Sequence, residues 1–221
     1  MVHGTRHRFA VAVVVVVATF GVTLVDPGLA TAADDYTRAK VKAAGISLEY
    51  PSGWTVYALS KREVAAQQKA LTKANPELAD AFDAAQQSSF TKNTKFHATD
   101  LDSMAERGVG GNLGVTNAGV GILPPTLDSF TRQISPQFSS VGGTVIGTST
   151  HKVGGRPAYR VDVRLPLTAP DGTNLTIHVT ELFVQVGTLT SMVTLAIDDD
   201  AEGAETTDRI MDSVKALSHR G

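Results

Sequence analysis

Gly45-Ile46-Ser47-Leu48-Glu49-Tyr50-Pro51-Ser52-Gly53-Trp54-Thr55-Val56-Tyr57 is the stretch from which the fold is read. Ile46, Leu48 and Tyr50 alternate with Ser47 and Glu49, the period of a strand with one buried face. Pro51-Ser52-Gly53 reads as a turn, because Pro sets φ at the first central position and Gly tolerates positive φ. Trp54 and Val56 then open a second short strand, so the spacing predicts a hairpin with a Tyr and a Trp at one corner. Trp54 is the only tryptophan, and it is expected as a core anchor rather than a ligand-stacking ring.

Upstream of this stretch the chain looks like an export leader. Arg6, His7 and Arg8 precede an apolar run from Phe9 to Val25, broken by Asp26-Pro27-Gly28 and followed by Ala30-Thr31-Ala32. That order predicts a signal peptide over residues 1–32, cut after Ala32. The alternative is an uncleaved anchor, since the run is near the lower length limit for crossing a bilayer. Residues 33–44 are small and polar and are expected as a flexible leader, with a single domain over residues 45–221.

The 221 residues include no cysteine, so the chain has neither a disulfide framework nor a lipidated cysteine, and no lipid anchor is expected. Stability must come from a hydrophobic core. Lys and Arg number 20 against 22 Asp and Glu, and this balance offers no basic excess for nucleic acid.

Downstream, Ser60-Lys61-Arg62-Glu63 matches a capping box for a helix to about Lys73. After Asn75-Pro76, the positions Leu78, Ala81, Phe82 and Ala85 put an apolar stripe on a second helix. Residues 95–101 read as a strand, 104–111 as a glycine-containing loop, and 112–121 as a further strand. Thr126 is the expected N-cap of a helix carrying Leu127, Phe130 and Ile134, which Pro136 should end or kink.

The C-terminal third is the clearest. Residues 144–152 alternate, Val153-Gly154-Gly155-Arg156 makes a hairpin turn, and residues 158–165 return. Tyr159, Val161, Val163 and Leu165 share one face of that strand, and Arg160, Asp162 and Arg164 the other. After an Asp171-Gly172 turn, Leu175, Ile177, Val179 and Glu181 share one face of a long strand, and residues 188–197 complete a meander across Gly187. Ile210, Met211, Val214 and Leu217 predict a last helix. Helices grouped in blocks among hairpin-connected strands argue for an α+β domain, with an antiparallel sheet of about six or seven strands flanked by helices.

Leu48-Glu49-Tyr50-Pro51-Ser52-Gly53-Trp54 resembles the opening of the PsbP/Mog-like fold, and Val153-Gly154-Gly155-Arg156-Pro157-Ala158-Tyr159-Arg160 is similar to a later hairpin of it. With the export leader, the chain resembles the LpqN/LpqT group of actinobacterial envelope proteins over residues 45–218. The resemblance implies an α/β/α sandwich and a non-enzymatic accessory protein, sometimes tied to envelope glycolipids. It supplies no catalytic residues. The missing lipidated cysteine departs from the lipoprotein members of the group.

Motifs with chemical potential are few. Ser149-Thr150-His151-Lys152 contains Ser-x-x-Lys, but on a strand Ser149 and Lys152 point to opposite faces. His97, His151, His178 and His219 lack the spacing of a zinc site, and no metal ligands are assigned. Asp198-Asp199-Asp200 with Glu202 and Glu205 lacks the calcium-loop pattern and is expected to cap the last helix, and Asp100 and Asp102 are read alike. Gly108-Val109-Gly110-Gly111-Asn112-Leu113-Gly114 has the glycine density of a phosphate loop without its strand-then-helix setting.

No catalytic site, cofactor or metal is therefore assigned, and no ligand-binding residue is named. The expected function is an exported, monomeric, non-catalytic accessory protein of the cell envelope, with a hydrophobic or glycolipid ligand. The alternatives are a protein-interaction module, docking through the polar sheet face or the helices around Phe82, and a hydrolase built on Ser149 and His151.

Overall fold

The computed structural model describes residues 36–57, Lys69, and residues 93–107, 110–120, 123–168 and 174–217. The expected signal segment, the helix stripe around Phe82, the Asp171-Gly172 turn and His219 lie outside the described residues. Within the first expected helix only Lys69 is described, and it is helical.

The strands are β1 (Tyr36–Val41), β2 (Ile46–Pro51), β3 (Thr55–Val56), β4 (Thr94–Thr99), β5 (Asn112–Val120), β6 (Thr144–Val153), β7 (Arg156–Thr168), β8 (Asn174–Val186), β9 (Leu189–Asp198) and β10 (Lys215–Ala216). The helices are α1 (Leu101–Arg107), α2 (Leu127–Ser139) and α3 (Ala201–Asp212). Seven strands form one sheet in the order β3-β4-β5-β9-β8-β7-β6, and three form another in the order β1-β2-β10. Every pairing is antiparallel, as the α+β expectation requires.

The opening stretch does not make a hairpin. β2 pairs with β1 and β10, whereas β3 pairs with β4 in the other sheet. The Pro51 turn, closed by Trp54 N–H donating to the Pro51 carbonyl, is a corner that carries the chain from one sheet to the other. The Trp54 ring packs on Gly111, where a Cβ would overlap it, and joins the margin of the larger core. This confirms Trp54 as a packing residue.

Residues 36–41 are not a loose leader. They form β1, in register with β2 from Tyr36 opposite Pro51 to Val41 opposite Ile46. Two side-chain contacts outweigh the polar composition: Arg38 pairs with Glu49, and the Arg209 guanidinium lies 3.7 Å from the Tyr36 ring centroid.

Three further expectations are corrected. Leu101–Arg107 is helical rather than a loop, because the Asp100 carboxylate accepts from Ser103 N–H and Ser103 Oγ at the helix start. Pro136 does not end α2, which continues to Ser139 because Phe138 seats its last turn in the core. Val214 and Leu217 do not extend the last helix: α3 stops at Asp212, and the chain turns into β10 beside β2.

The large sheet has two covered faces. On one, Leu113, Val115, Leu182, Val184, Val193 and Leu195 meet Ile46, Leu48, Ile210, Met211 and Val214 from the small sheet and α3. On the other, Tyr159, Val161, Val163, Phe183 and Met192 meet Phe130, Ile134 and Phe138 of α2. Phe130 lies 5.0 Å from both the Tyr159 and Phe183 rings, centroid to centroid.

Candidate functional site

The α2 face of the large sheet changes character from one side to the other. Over β6, β7 and β8 it is apolar and lies against α2. One row of positions on this face, starting at Glu181 of β8, is polar instead. Glu181 of β8 stands opposite Thr194 of β9, Thr194 opposite Gly114 of β5, and Gly114 opposite His97 of β4. This is one row across four strands, spanning about 14 Å in three strand spacings. Thr99 and Asn112 pair in the adjacent row. Glu181 shares its face with Phe183 by strand alternation, and Thr194 shares its face with Met192, so both point to the α2 side.

These side chains are deeply placed. Glu181 and Thr99 are 0% exposed, His97 1% and Asn112 6%. His97 stacks on Tyr57 at 4.7 Å between centroids. The Asn112 side-chain oxygen lies 2.7 Å from His97 Nε2, and Thr99 Oγ1 lies 3.2 Å from the same nitrogen. A carbonyl oxygen only accepts, so His97 donates from Nε2, and the Asn112 amide nitrogen points away from it. Burial pulls the His97 pKa down to about 4, against a smaller opposite effect of the Asn112 hydrogen bond. The ring is therefore neutral at pH 7.

Glu181 is the anomaly. Neither carboxyl oxygen has a hydrogen-bond partner among the described residues, and Thr194 Oγ1 and Asn112 Nδ2 are likewise buried and unpartnered. Burial pushes the Glu181 pKa up to about 8, so the carboxyl is largely protonated at neutral pH. Between Thr194 and His97 the row is interrupted by Gly114, where a Cβ would meet no atom within 4 Å among the described residues. Buried polar groups without partners are few in folded proteins and mark water or ligand positions. The row went unassigned at the level of sequence, although Glu181 on the Leu175–Ile177–Val179 face was its signal.

The residues singled out by motif have other settings. Asp200 caps α3, its side chain accepting from Gly203 N–H at 2.7 Å, so the acidic run starts a helix as expected. His178 faces the α3 side and contacts Asp162 at 3.1 Å. Asp162 also accepts from Arg160 Nε at 3.0 Å and Thr180 Oγ1 at 2.7 Å, while Arg160 reaches Asp208 of α3 at 2.7 Å. Burial raises the Asp162 pKa, but hydrogen bonds from His178, Arg160 and Thr180 outweigh it and hold the value at about 2. This is a latch between sheet and helix.

Ser149 and His151 do meet, with Oγ 3.1 Å from Nε2, on edge strand β6. No carboxylate orients that imidazole among the described residues, so the pair lacks the third member of a hydrolytic triad. Lys152 follows on the opposite face of the strand. Among the described residues no group of three His, Asp or Glu side chains is placed to hold a metal ion. Gly110 and Gly111 follow helix α1 and lie under Met104 and Trp54, so these two glycines of the run are packing positions.

The fold is similar to that of a solved structure, cyanobacterial PsbP (CyanoP) from Synechocystis sp. PCC 6803. The TM-score is 0.51 and the identity 11%, over 87% of this chain and 98% of that one. The chain has a PsbP-like fold. Lower-scoring PsbP/Mog-like neighbours include LpqN, involved in cell envelope biogenesis of Mycobacterium tuberculosis, at 11% identity and TM-score 0.46 over 84% of this chain and 87% of that one. The Saccharomyces cerevisiae Ran-binding protein Mog1p stands at 7% identity and TM-score 0.46 over 83% and 96%. No family model matches the chain, and no curated protein matches it in sequence.

Proposed function

We propose that this chain is an exported, non-catalytic accessory protein of the cell envelope that binds a ligand with an apolar body and a polar head, of which a glycolipid is one example. The observation that carries this reading is the divided sheet face. Unpartnered Glu181 and Thr194 stand one row along the strands from Phe183 and Met192, which α2 covers, and Asn112 stands one row further on, so the polar head of a ligand finds partners at the margin of the helix-covered apolar patch. Export rests on the sequence order basic, apolar, Ala-x-Ala at residues 6–32. The non-catalytic part rests on a row that contains an acid, a hydroxyl, an amide and a neutral imidazole but no base-activated nucleophile.

Native mass spectrometry of the full chain after incubation with envelope lipid extract tests the proposal. A defined adduct mass retained through desalting is the expected result, and a spectrum of unliganded protein alone overturns it.

Protein docking is a second reading, favoured by Val141 and Ile146, 43% and 45% exposed beside and on edge strand β6. An Ile146→Asp variant that keeps every co-purifying envelope partner would remove it.

A further inference from the structure

The polar row has a chemical bias that narrows what it can hold. Asn112 commits its oxygen to His97 and leaves its amide nitrogen as a donor. Thr194 offers a hydroxyl that donates and accepts, and Glu181 offers a carboxyl with both oxygens unpartnered. Among the described residues no Lys or Arg is paired to this row, so an anionic group has no counter-charge there. A cationic group would face the Asn112 donor and would need Glu181 ionised, which its burial opposes. An uncharged headgroup with several hydroxyls suits all three, because each hydroxyl can give a proton to an oxygen and take one from an N–H or O–H.

Space for it exists at the centre of the row. Gly114 separates Thr194 from His97, a Cβ on it would meet nothing within 4 Å among the described residues, and Gly114 keeps partial solvent exposure while Glu181 and His97 on either side are buried. We propose that the gap over Gly114 is a ligand subsite seating an uncharged, hydroxyl-bearing headgroup between Glu181 and Thr194 on one side and Asn112 on the other. The assignment rests on the binding reading above and adds to it the position and the headgroup class.

The test uses the full chain with isotope labelling. Methyl β-glucoside and glycerol represent sugar and glyceryl sources of hydroxyls, and tetramethylammonium and acetate are the charged controls. Saturable shifts of the Gly114 and Thr194 amides and the Asn112 side-chain amide are expected with one or both hydroxyl probes and not with the charged ones. The probe that binds more tightly names the source. Gly114→Val fills the gap and is expected to weaken hydroxyl-probe binding about tenfold or more, with unchanged circular dichroism and melting temperature. Failure of every hydroxyl probe to shift these signals, preference for tetramethylammonium or acetate, or unaltered binding by a folded Gly114→Val protein would each overturn the subsite. Should the variant fold poorly, the wild-type shift pattern decides alone. A lipid adduct that forms equally on wild type and Gly114→Val would leave the binding reading standing while sinking this subsite.

Discussion

Glu181 stands directly opposite Thr194 in the β8–β9 register, and neither side chain has a hydrogen-bond partner among the described residues. A buried polar pair of this kind costs stability, because both groups lose water and gain little in return. Glu181→Leu should therefore stabilise the ligand-free protein by about 1–3 kcal/mol in chemical denaturation. A loss of stability of that size would show that the carboxyl has a bonding role in the fold.

The same carboxyl sets a pH dependence. The folded protein keeps its proton up to about pH 8, whereas the unfolded chain releases it near 4.5. Its stabilising contribution is whole below 4.5 and is lost as pH rises towards 8. His97 acts in the other direction: its folded pKa of about 4 lies below the ordinary 6.5, so its contribution is whole above 6.5 and is lost as pH falls towards 4. The two slopes oppose each other between 4.5 and 6.5, and unfolding free energy should be flattest there. Glu181→Gln should abolish the decline on the alkaline side and, with nothing left to offset His97, extend the acid-side loss of stability up to about pH 6.5. Urea titrations across the pH range read both limbs.

Trp54 and Gly111 form a second coupled pair. Trp54→Ala should cost about 2–3 kcal/mol, below the ~3–5 kcal/mol of a fully buried ring, because Trp54 is half-buried. Gly111→Ala should be comparably harmful alone, since its Cβ overlaps the indole. In the Trp54→Ala background the same change should be nearly free, and a double-mutant cycle that shows simple additivity would refute the contact.

The Arg160–Asp162 latch should report on α3. Asp162→Ala removes the acceptor for Arg160, His178 and Thr180, leaving Arg160 bound to Asp208 alone. A loss of about 1–2 kcal/mol is expected. Faster amide hydrogen exchange should follow in Ala201–Asp212, with β4 and β5 unaffected. Exchange that rises equally throughout would point to a global rather than a local effect.

What was legible in the sequence follows the range of the forces involved. Strand alternation in β7 and β8 and the paired glycines 154 and 155, with φ of +59° and +77°, are local signals, and the meander was read from them. Thr126 and Asp200 were legible as caps for the same reason. The partner of β2 was not, because pairing with β1 or β3 is decided by distant packing against Ile210 and Val214 rather than by the turn between them. β1 was hidden by its polar composition, since its partners lie outside the segment: Arg38 pairs with Glu49 of β2, and Arg209 of α3 lies over the Tyr36 ring. Glu181 was placed on the right face of its strand, but alternation gives no hint that Thr194 and Gly114 stand beside it. The polar row exists only once β9 is threaded between the earlier β5 and β8.

The small sheet has one more consequence. β2 lies between β1, from the start of the described chain, and β10, from its end, and Leu217 N–H donates to the Gly45 carbonyl at 2.8 Å. One edge of Ile46–Ser47 therefore stays unpaired until Lys215 and Ala216, far along the chain, reach it. Closing so long a loop carries a large entropic cost and slows the completion of the small sheet. Deletion of residues 215–217 should leave that edge of β2 permanently open.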